Sequence, residues 1–520
     1  ARLTVGNGAG LAARGGPVRG FTIAGEDGAF GPAEAVIEGE TITVRSARVA
    51  RPSAVRYNWA AVPEGNVFNG AGLPMLAYRS DDWARERAKA DEEAWMASYR
   101  GTDAGFTPLF NGRDLGGWVN INCAPGTWGV DAGRPGGAVI TCTGKPTGLL
   151  RTERMYENYV LELEWRHLEA QGNAGLFIWS DALTARGQPF TRAVEVQVMV
   201  GSEGDWYTSD GDIFPIHGAV MTPETGRGKG SRAFPTLRRT NPAPMWNHYR
   251  VECIDGRVTL AVNGKVVSAG RDASPRRGYI CLESEGTAVE FRNIRIKELP
   301  AAQPALAAKD VAAEAQGFEP LYSGVDFSGW KHGPEHAGHW VSKDWTIAFD
   351  GKGPDLWTER SFKDFELVCD WRWTAAPKEQ QRPVILPTGE VKRDGNGKEV
   401  TVAVPDAGDS GIYLRGSSKS QVNMWCWPVG SGEVYGYRTD PNMPAAVKAA
   451  VTPKKAADTP IGQWNRFVIT MKGDRLTVVL NGETVIENAH LPGVAAEGPI
   501  ALQSHGDPIE FANIFVRELK

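Results

Sequence analysis

The feature that most constrains the fold of this chain is a long internal repeat. The segment WNHYRVECIDGRVTLAVNGKVV at residues 246–267 returns as WNRFVITMKGDRLTVVLNGETV at residues 464–485. A second pair follows in the same order, GYICLESEGTAVEFRNIRIKEL at 278–299 and GPIALQSHGDPIEFANIFVREL at 498–519. Solenoid and propeller repeats span only about 20–50 residues. The repeat therefore indicates two tandem copies of a whole domain, and we expect their chemistry to differ where their sequences differ.

Both copies carry the pattern of β-strands. Residues 148–166 and 355–373 alternate apolar and polar side chains, which is typical of long half-buried strands. Asn-Gly pairs at 263–264 and 481–482 lie between apolar runs, the strongest short-range signal for a hairpin. The chain also holds 62 Gly, 33 Pro and 18 Trp, and such turn-rich, aromatic-rich sequences favour short strands. We therefore predict an all-β chain in which each copy is a sandwich of two antiparallel sheets.

These patterns divide the chain into five parts. They are predicted to be a small N-terminal β-sandwich at 1–80, a helical linker at 81–103, a first sandwich (copy A) at 104–299, a Pro/Ala linker at 300–316 and a second sandwich (copy B) at 317–520. Copy B also contains an additional stretch at 382–408, with a DGNG turn between two strand-like runs. We expect an inserted hairpin near one rim, where loops often carry function.

Charge and cysteine content narrow the range of partners. The net charge is -5, from 57 basic and 62 acidic residues spread along the chain, and no basic stripe indicates a nucleic-acid partner. No apolar run approaches the roughly 18 residues that a membrane span requires. The six cysteines form no CxxC motif, which argues against a zinc ribbon. The chain begins at Ala1 rather than Met, which fits a processed or truncated product. We expect a periplasmic or extracellular location.

Several separated motifs together resemble one family. They are the openings GFTPLFNGRDLGGW and GFEPLYSGVDFSGW, the G-(N/D)-(A/S)-G-(L/I) segments at 172–176 and 408–412, and the endings EFRNIRIKEL and EFANIFVREL. The chain resembles the DUF1080 family, also called the 3-keto-disaccharide hydrolase domain, in two copies. The resemblance implies a concanavalin A-like jelly-roll sandwich for each copy. Copy B is the closer match, through GDSGIYLRG, QVNMWCWPVGSGEVYGYRTDP and LQSHGDP.

The N-terminal part resembles a different protein. The segments PVRGFTIAGEDGAFGPAEAVIEG and AVRYNWAAVPEGNVFNGAGLPMLAYRSDDW are similar to the C-terminal β-domain of sialate O-acetylesterase-like proteins. The catalytic part of such an esterase would precede this segment. We therefore expect the chain to be the back end of a longer fusion.

The family resemblance implies a substrate that is a glycoside oxidised at C3. A C3 ketone acidifies the C2 proton, so a base can remove it and expel the C1 substituent, and water can then add back. Such a site needs a base, a donor or cation at the ketone oxygen, and an acid for the leaving group. Aromatic side chains would form walls for the sugar rings.

Copy B offers a candidate for each of these roles. We predict that His505 acts as base or acid and that Arg415, two residues after Tyr413, binds the ketone oxygen or the oxyanion. Glu433 or Tyr437 would be the second proton carrier. The predicted substrate-binding residues, chosen because they alternate along strand-like segments, are Gln503, Trp425, Trp427, Tyr413 and Tyr435.

Copy A departs from copy B at the positions expected to matter most. It has Trp179 where copy B has Arg415, and Glu285 where copy B has His505. Glu195 and Glu285 are its candidate catalytic carboxylates. Its candidate substrate-binding residues are Gln197, Trp179 and His217. Whether copy A is a second active site or a sugar-binding module stays open.

The sequence constrains the cofactors and the exact activity less than it constrains the fold. A divalent cation is compatible with the sequence: zinc at His332, His336 and His339, or calcium at Asp406 and Asp409. A plain Gly/Pro-rich surface loop is the competing interpretation of the histidines. The leading function is cleavage of 3-keto-glycosides or 3-keto-disaccharides by elimination or hydrolysis. The alternatives are a non-catalytic carbohydrate-binding protein and an assembly protein, and the sequence leaves the sugar, the linkage and the oligomeric state open.

Overall fold

The computed structural model describes residues 1–25, 29–60, 62–81, 104–185, 187–201, 210–226, 230–301, 305–307, 311 and 317–520. The chain forms two compact units. One contains Ala1–Ala104 with two short later segments, Arg239–Asn247 and Asn263–Lys265, and the other contains both sandwich copies. The predicted helical linker lies, from residue 82 onwards, outside the described residues, and so does much of the predicted linker at 300–316.

The N-terminal part of the chain is built from short strands. Their bounds are β1 Arg2–Thr4, β2 Ala12–Ala13, β3 Phe21–Ala24, β4 Gly31–Pro32, β5 Glu34–Glu38, β6 Thr41–Arg45, β7 Ala54–Tyr57, β8 Val67–Phe68 and β9 Tyr78–Arg79. They form sheets of order β1-β6-β5 and β4-β3-β7-β9, and β2 pairs with β8. Alternate residues such as Phe21 and Ile23 of β3 and Ile42 and Val44 of β6 fill one core, as period-two burial requires.

Copy A consists of two antiparallel sheets. Its strands are β10 Thr107–Pro108, β11 Trp118–Ile121, β12 Trp128–Asp131, β13 Val139–Cys142, β14 Gly148–Thr152, β15 Tyr159–His167, β16 Gly172–Ser180, β17 Ala193–Val200, β18 Ile213–Ile216, β19 Val220–Pro223, β20 Asn247–Ile254, β21 Arg257–Val262, β22 Lys265–Ser274, β23 Tyr279–Ser284 and β24 Val289–Glu298. The long sheet has the order β12-β13-β24-β15-β20-β21-β22-β19, and the short sheet has the order β11-β14-β23-β16-β17-β18.

Copy B repeats this plan with fewer strands and two short helices. Its strands are β25 Glu319–Pro320, β26 Trp340–Lys343, β27 Thr346–Phe349, β28 Leu356–Phe362, β29 Phe365–Trp373, β30 Lys378–Pro383, β31 Thr401–Asp406, β32 Asp409–Leu414, β33 Ser417–Trp425, β34 Asn465–Lys472, β35 Arg475–Leu480, β36 Glu483–His490, β37 Gly498–Leu502 and β38 Ile509–Glu518, and its helices are α1 Tyr435–Arg438 and α2 Ala445–Ala450. The long sheet has the order β26-β27-β38-β29-β34-β35-β36, and the short sheet has the order β28-β37-β32-β33. Strands β30 and β31 pair as the inserted hairpin.

The core of copy B shows why these segments form strands. Phe365, Leu367, Cys369, Trp371 and Trp373 of β29 all lie in one buried apolar cluster. Each occupies an alternate position, so one face of the strand packs against the short sheet. Burial of each such large side chain contributes about 1.5–3 kcal/mol. The predicted all-β fold of packed sandwiches is confirmed.

The two copies pack against each other through apolar side chains. Phe177 of β16 and Cys281 of β23 belong to one buried cluster with Val368 of β29 and Phe515 of β38. Because side chains alternate along a strand, Phe177 points away from Leu176, whose side chain is buried on the other face of β16. The long sheet of copy B therefore covers part of the outer face of copy A's short sheet.

Buried hydrogen bonds cross the same interface. The Tyr279 hydroxyl donates to Asn513 Oδ1 (2.9 Å), and Asn513 Nδ2 donates to Asp370 Oδ2 (2.8 Å). Arg466 donates to both carboxylate oxygens of Asp370, at 2.6 and 2.8 Å. Satisfied buried networks of this kind fix relative orientation, because leaving one member unpaired costs about 1–3 kcal/mol. The equivalent face of copy B's short sheet stays open, whereas this face of copy A is covered.

Candidate active site

A cleft opens on the outer face of copy B's short sheet. Strands β32 and β33 pair Asp409 with Trp425 and Tyr413 with Gln421, which places alternate residues of both strands on one face. The cavity has a volume of about 500 Å³, within the range of about 300–1,000 Å³ typical of small-molecule sites. Its lining residues are Asp409, Tyr413, Ser418, Lys419, Gln421, Asn423, Trp425, Trp427, Tyr435, Gly436, Thr439, Gln503 and His505.

Asp409 and His505 are the titratable side chains at one end of the cleft. Ile412 of β32 pairs with Leu502 of β37, so the same register brings Asp409 and His505 side by side beyond the end of β37. Burial raises the pKa of the Asp409 carboxyl to about 6, against the opposing effect of His505. His505 itself is exposed at the mouth of the cleft. At neutral pH Asp409 is thus a mostly ionised carboxylate whose basicity exceeds that of an ordinary aspartate.

The other end of the cleft holds a chain of hydrogen bonds that ends on a phenol. Gln421 Nε2 donates to Gln503 Oε1 (2.7 Å), and the Gln503 side chain hydrogen-bonds to the Tyr413 hydroxyl. Burial raises the pKa of Tyr413 to about 12, so the hydroxyl keeps its proton. Gly411 lies between the two ends, and a Cβ there would lie only 2.4 Å from Gln421 Nε2. The glycine therefore lets the amide pair form the floor of the cleft.

Aromatic side chains form one wall. Trp425 and Trp427 stack with centroids 4.0 Å apart and an interplanar angle of 4°. Tyr435 meets Trp425 edge to face at 6.3 Å and leaves 44% of its surface exposed. Arg382 of the inserted hairpin lies 5.8 Å from the Trp427 ring. Because one face of Trp427 is stacked and Arg382 lies over the ring, Tyr435 is the more open surface for a sugar ring.

Asn423 is the strongest sign that the cleft receives a polar ligand. Its side chain is 1% exposed, and within the described residues neither its Nδ2 nor its Oδ1 has a hydrogen-bond partner. A buried amide without partners costs about 1–3 kcal/mol. A bound group that carries both a donor and an acceptor, such as a sugar hydroxyl, would satisfy it.

Arg415 does not belong to this cleft, and the prediction that it shares a face with Tyr413 is wrong. Its backbone φ is 50°, so the strand alternation stops at Leu414. The guanidinium donates to the carbonyl oxygens of Lys363, Gly473 and Ala495 and to Asp364 Oδ1, at 2.7–2.9 Å. Four of its five N–H donors are used inside the fold, so Arg415 is not part of the candidate site.

Glu433 and Tyr437 also lie outside the cleft lining. The sequence predicted a strand row with Tyr435, but helix α1 begins at Tyr435 and breaks the period of two. Glu433 is fully buried and pairs with Arg438 at 2.6 Å, and burial raises its pKa to about 7. The Tyr437 hydroxyl donates to the Pro492 carbonyl at 3.2 Å. Of this row only Tyr435 lines the cleft.

Copy A carries carboxyl groups where copy B carries amides and imidazole. Phe177 pairs with Glu195 as Tyr413 pairs with Gln421, and Glu283 and Glu285 take the places of Gln503 and His505. A Cβ on Gly175 would lie 2.8 Å from both Glu195 Oε1 and Glu283 Oε2, so two carboxyl groups converge there. The structure thus brings the predicted Glu195 and Glu285 into one cluster with Glu283.

Glu195, in the carboxyl cluster of copy A, holds a proton at neutral pH. Burial, followed by the charge of Glu285, raises the pKa of Glu195 to about 8. Burial and both neighbouring carboxyls also raise the pKa of Glu283, and burial raises that of Glu285. Gln197 donates to Asn173 Oδ1, and Asn173 Nδ2 donates to Glu285 Oε2, both at 2.5 Å. The predicted Gln197 is therefore connected to the cluster.

Trp179 and His217 are placed apart from that cluster. Trp179 has a φ of 50°, as Arg415 has, and its buried indole donates to the Glu157 carbonyl at 2.8 Å. His217 is exposed at the turn after β18, with its ring 6.4 Å from that of Phe190. The mismatch between Trp179 and Arg415 thus changes how a strand end is anchored, and it does not change the lining of a cleft.

The described residues contain no group of three or more His, Cys, Asp or Glu that could hold a metal ion. In the histidine-rich loop, His332 and His336 bond to the carbonyls of Trp340 and Asp355 at 3.0 and 3.1 Å. His339 pairs with the Asp350 carboxylate at 3.0 Å. The three imidazoles therefore have separate partners. Of the candidate calcium ligands, Asp406 pairs with Arg382 at 2.5 Å and Asp409 lines the cleft.

The sequence analysis did not identify Asp409 as a candidate proton carrier, and it did not include Gln421 or Asn423. The signal was present, because Asp409 and Tyr413 have the even spacing that places them on one face of β32. The same rule relates Gln421 and Asn423 to Trp425. The sequence suggests Asp409 only as a calcium ligand, because it does not show which carboxylate is buried.

One known family matches both copies. The model of the 3-keto-alpha-glucoside-1,2-lyase-like domain matches residues 105–297 and 317–517, which correspond to copies A and B. The family resemblance is therefore confirmed for both copies. A search of curated proteins found no match.

Solved structures that are similar to parts of the chain include these three. A candidate glycosyl hydrolase from Parabacteroides distasonis is 20% identical and covers 42% of this chain and 100% of its own, with a TM-score of 0.29. A carbohydrate-binding module from Bacillus subtilis is 14% identical and covers 35% and 96%, with a TM-score of 0.25. A carbohydrate acetylesterase from Xanthomonas citri is 47% identical over 15% of this chain and 18% of its own, with a TM-score of 0.14, and this match fits the N-terminal segment. In the described part of the chain, no helix has the length and apolar content to cross a membrane.

Proposed function

This chain belongs to the 3-keto-alpha-glucoside-1,2-lyase-like family, and on that premise we propose that the cleft of copy B cleaves the glycosidic bond of 3-keto-glycosides by elimination. Membership of the family makes it a carbohydrate-active protein. The observation that carries the finer proposal is the combination of Asp409, His505 and Tyr413 around one cleft. These side chains supply a base, a second proton carrier and a neutral hydrogen-bond donor.

The proposed step follows from the acidity of the substrate. The Asp409 carboxylate removes the proton at C2, and the electron pair forms an enolate on the C3 oxygen. The Tyr413 hydroxyl, whose pKa of about 12 keeps it protonated, donates a hydrogen bond to that oxygen. The enolate then re-forms the ketone, the C1–C2 double bond forms and the C1–O bond breaks. His505 in its protonated form donates to the leaving oxygen, and addition of water across the double bond would give net hydrolysis.

Sugar binding without catalysis is the second candidate function. It is favoured by Asn423, whose unpaired amide calls for a ligand but for no proton transfer. The exposed face of Tyr435 is equally consistent with recognition alone. The two functions differ in whether Asp409 and His505 are needed for more than affinity.

The test is turnover of a chromogenic 3-keto-glucoside with a nitrophenyl leaving group. We expect Asp409→Asn to lower kcat about 100-fold or more, since general bases typically contribute about 10²–10⁴. Tyr413→Phe should lower kcat with a smaller effect on KM. The limb of the pH–rate profile that rises with pH through the Asp409 pKa of about 6 should be lost in Asp409→Asn. Glu285→Gln in copy A is the matched control and should leave turnover unchanged.

The outcomes separate the two functions. Full turnover by both Asp409→Asn and His505→Gln would show that the cleft of copy B is not the reacting site. Saturable binding of the keto-glucoside by a wild-type protein that does not turn it over would instead support the carbohydrate-binding alternative. Loss of turnover in Glu285→Gln alone would transfer the activity to copy A.

A further inference from the structure

A hydrogen bond joins the turn that carries His505 to the strand that carries Asp409. Asp507, two residues after His505, accepts the backbone N–H of Asp409 on its Oδ2 at 2.9 Å. The close approach requires Gly408, whose φ is 150°. A Cβ at this glycine would lie 2.5 Å from the Asp507 Cβ and 2.8 Å from Trp373 Cζ3. The bond therefore fixes the two proton carriers of the proposed reaction relative to each other.

Copy A forms the same tether without a charge. Asn173 and Thr287 take the places of Asp409 and Asp507 in the aligned segments GNAGL and GDSGI and in LESEGTA and LQSHGDP. The Asn173 N–H donates to Thr287 Oγ1 at 2.9 Å. A hydroxyl oxygen is therefore sufficient to hold the start of this strand. Because the tether does not need a carboxylate, the charge of Asp507 calls for a separate explanation.

The charge of Asp507 acts on the Asp409 carboxyl. Burial is the main cause of the raised pKa of Asp409, and Asp507 makes the largest contribution by charge in the same direction. Two neighbouring carboxylates disfavour each other's ionised form, so the pair is a cost that the neutral pair of copy A avoids. The other charged or titratable groups around Asp409 are His505 and Arg382, which lower its pKa, Asp406, which raises it, and Tyr413 and Glu433, whose own pKa values Asp409 raises.

Asp507 differs from Asp406, the other carboxylate that raises this pKa, in its lack of a cation. Asp406 forms an ion pair with Arg382 at 2.5 Å, which offsets much of its charge. Within the part of the chain that the structure describes, Asp507 accepts the Asp409 N–H and forms no ion pair with a basic side chain. Asp507 is also half-buried, so solvent screens its charge only in part.

We propose that Asp507 is a positioning residue of this cleft, which acts on Asp409 by its charge as well as by its hydrogen bond. The inference rests on the proposed function, in which Asp409 removes the C2 proton. A general base is most effective when its pKa lies near the working pH. An ordinary aspartate, at about 3.9, is far below neutral pH, and Asp409 reaches about 6. Copy B thus uses a carboxylate where a neutral tether would suffice for the fold.

The direct test is an NMR titration of the Asp409 carboxyl in the whole chain labelled with [4-13C]aspartate. The Asp409 resonance is the one that disappears in Asp409→Asn. Asp507→Asn removes the charge and keeps an acceptor oxygen, and Asp507→Thr copies the tether of copy A. Both variants should move the Asp409 midpoint to lower pH by about one pH unit, and by less at high salt. Glu359→Gln, which removes a negative charge at an exposed position of copy B, is the matched control and should leave the midpoint unchanged.

A kinetic readout separates positioning from a purely structural role. With the chromogenic 3-keto-glucoside, Asp507→Asn and Asp507→Thr should move the rising limb of the kcat/KM profile to lower pH. The plateau should fall on the order of threefold, because a weaker base transfers the proton more slowly. The melting temperature should not fall, since a repulsive charge is removed and the tether is kept. Asp507→Ala, which also removes the tether, should lose more activity than either variant.

The two readouts distinguish this inference from the proposed function. An unchanged Asp409 midpoint in both Asp507→Asn and Asp507→Thr overturns the inference, whether or not the protein cleaves keto-glucosides. A lowered melting temperature with an unchanged midpoint would likewise show that Asp507 has only a structural role. A midpoint that moves as expected in a protein without turnover would contradict the proposed function and support the action of Asp507 on Asp409. If Asp507→Ala does not fold, the asparagine and threonine variants decide the question.

Discussion

Replacing Glu195 by glutamine should stabilise the protein at alkaline pH and leave its stability at acidic pH almost unchanged. Burial and the charge of Glu285 raise the pKa of Glu195 from 4.5 to about 8. Between these two values the folded chain holds a proton that the unfolded chain releases. The free energy of unfolding therefore falls as pH rises through this window. Below pH 4.5 the carboxyl is protonated in both states and this contribution is fully present.

The size of the effect follows from the same shift. Each tenfold change in acidity corresponds to about 1.4 kcal/mol. The stabilisation of Glu195→Gln relative to the wild type at pH 8 is therefore at most about 5 kcal/mol. Glu283 and Glu285 share the cluster and respond to the change, so we expect Glu195→Gln to gain about 2–5 kcal/mol at pH 8. Glutamine is a neutral residue of nearly the same shape, and copy B has Gln421 at the equivalent position.

The assay is urea unfolding followed by tryptophan fluorescence at pH 5 and pH 8. The variant's advantage should be small at pH 5 and should grow towards pH 8. Glu169→Gln, at an exposed position of the same copy, is the control and should show no such trend. An equal difference between variant and wild type at both pH values would refute the argument that Glu195 is protonated in the folded state.

Three further predictions concern other parts of copy B and the interface. Arg415→Met should lower the free energy of unfolding by about 3–5 kcal/mol, because it removes a buried ion-pair partner. Turnover per folded molecule should stay unchanged. A loss of kcat without a loss of stability would return Arg415 to the candidate site. Asn513→Ala should cost about 1–3 kcal/mol by unpairing the buried hydroxyl and carboxylate it bridges, and calorimetry should show the two copies unfolding less cooperatively; a single unchanged transition would contradict this. Asn423→Leu should weaken sugar binding about tenfold, the effect of one lost hydrogen bond, without lowering the melting temperature. A destabilised variant with full affinity would mean that the amide has a structural role.

The regular part of the fold was readable from the sequence because strand formation depends on a local period. Apolar residues at alternate positions of β29 predicted a strand with one buried face, and the structure places all five of them in the core. The same period predicted that Tyr413, Gln503 and Trp425 each face one side of a strand, and the structure places all three in the lining of one cleft. Two copies of one domain were likewise predictable, because a repeated sequence folds to a repeated structure.

The site was less predictable wherever the period ended. Arg415 follows the strand only until its φ turns to 50°, and the row that includes Tyr437 is interrupted by helix α1. Neither change has a strong local signal. For Asp409 the difficulty is different, because its spacing along β32 is regular. Its pKa depends on burial and on His505, a residue far away in the sequence.

The sequence by itself determined that the chain is all-β, that two copies share one fold, and that they differ at Glu195, Glu283 and Glu285 against Gln421, Gln503 and His505. Only the tertiary structure decided what those differences mean. Copy B covers part of the face of copy A that corresponds to its own open cleft. The physical reason is the separation along the chain of the residues that interact. Neighbours in the sequence determine the strand pattern, whereas the solvation and pKa of a carboxyl or guanidinium group depend on residues that pack against it from distant parts of the chain.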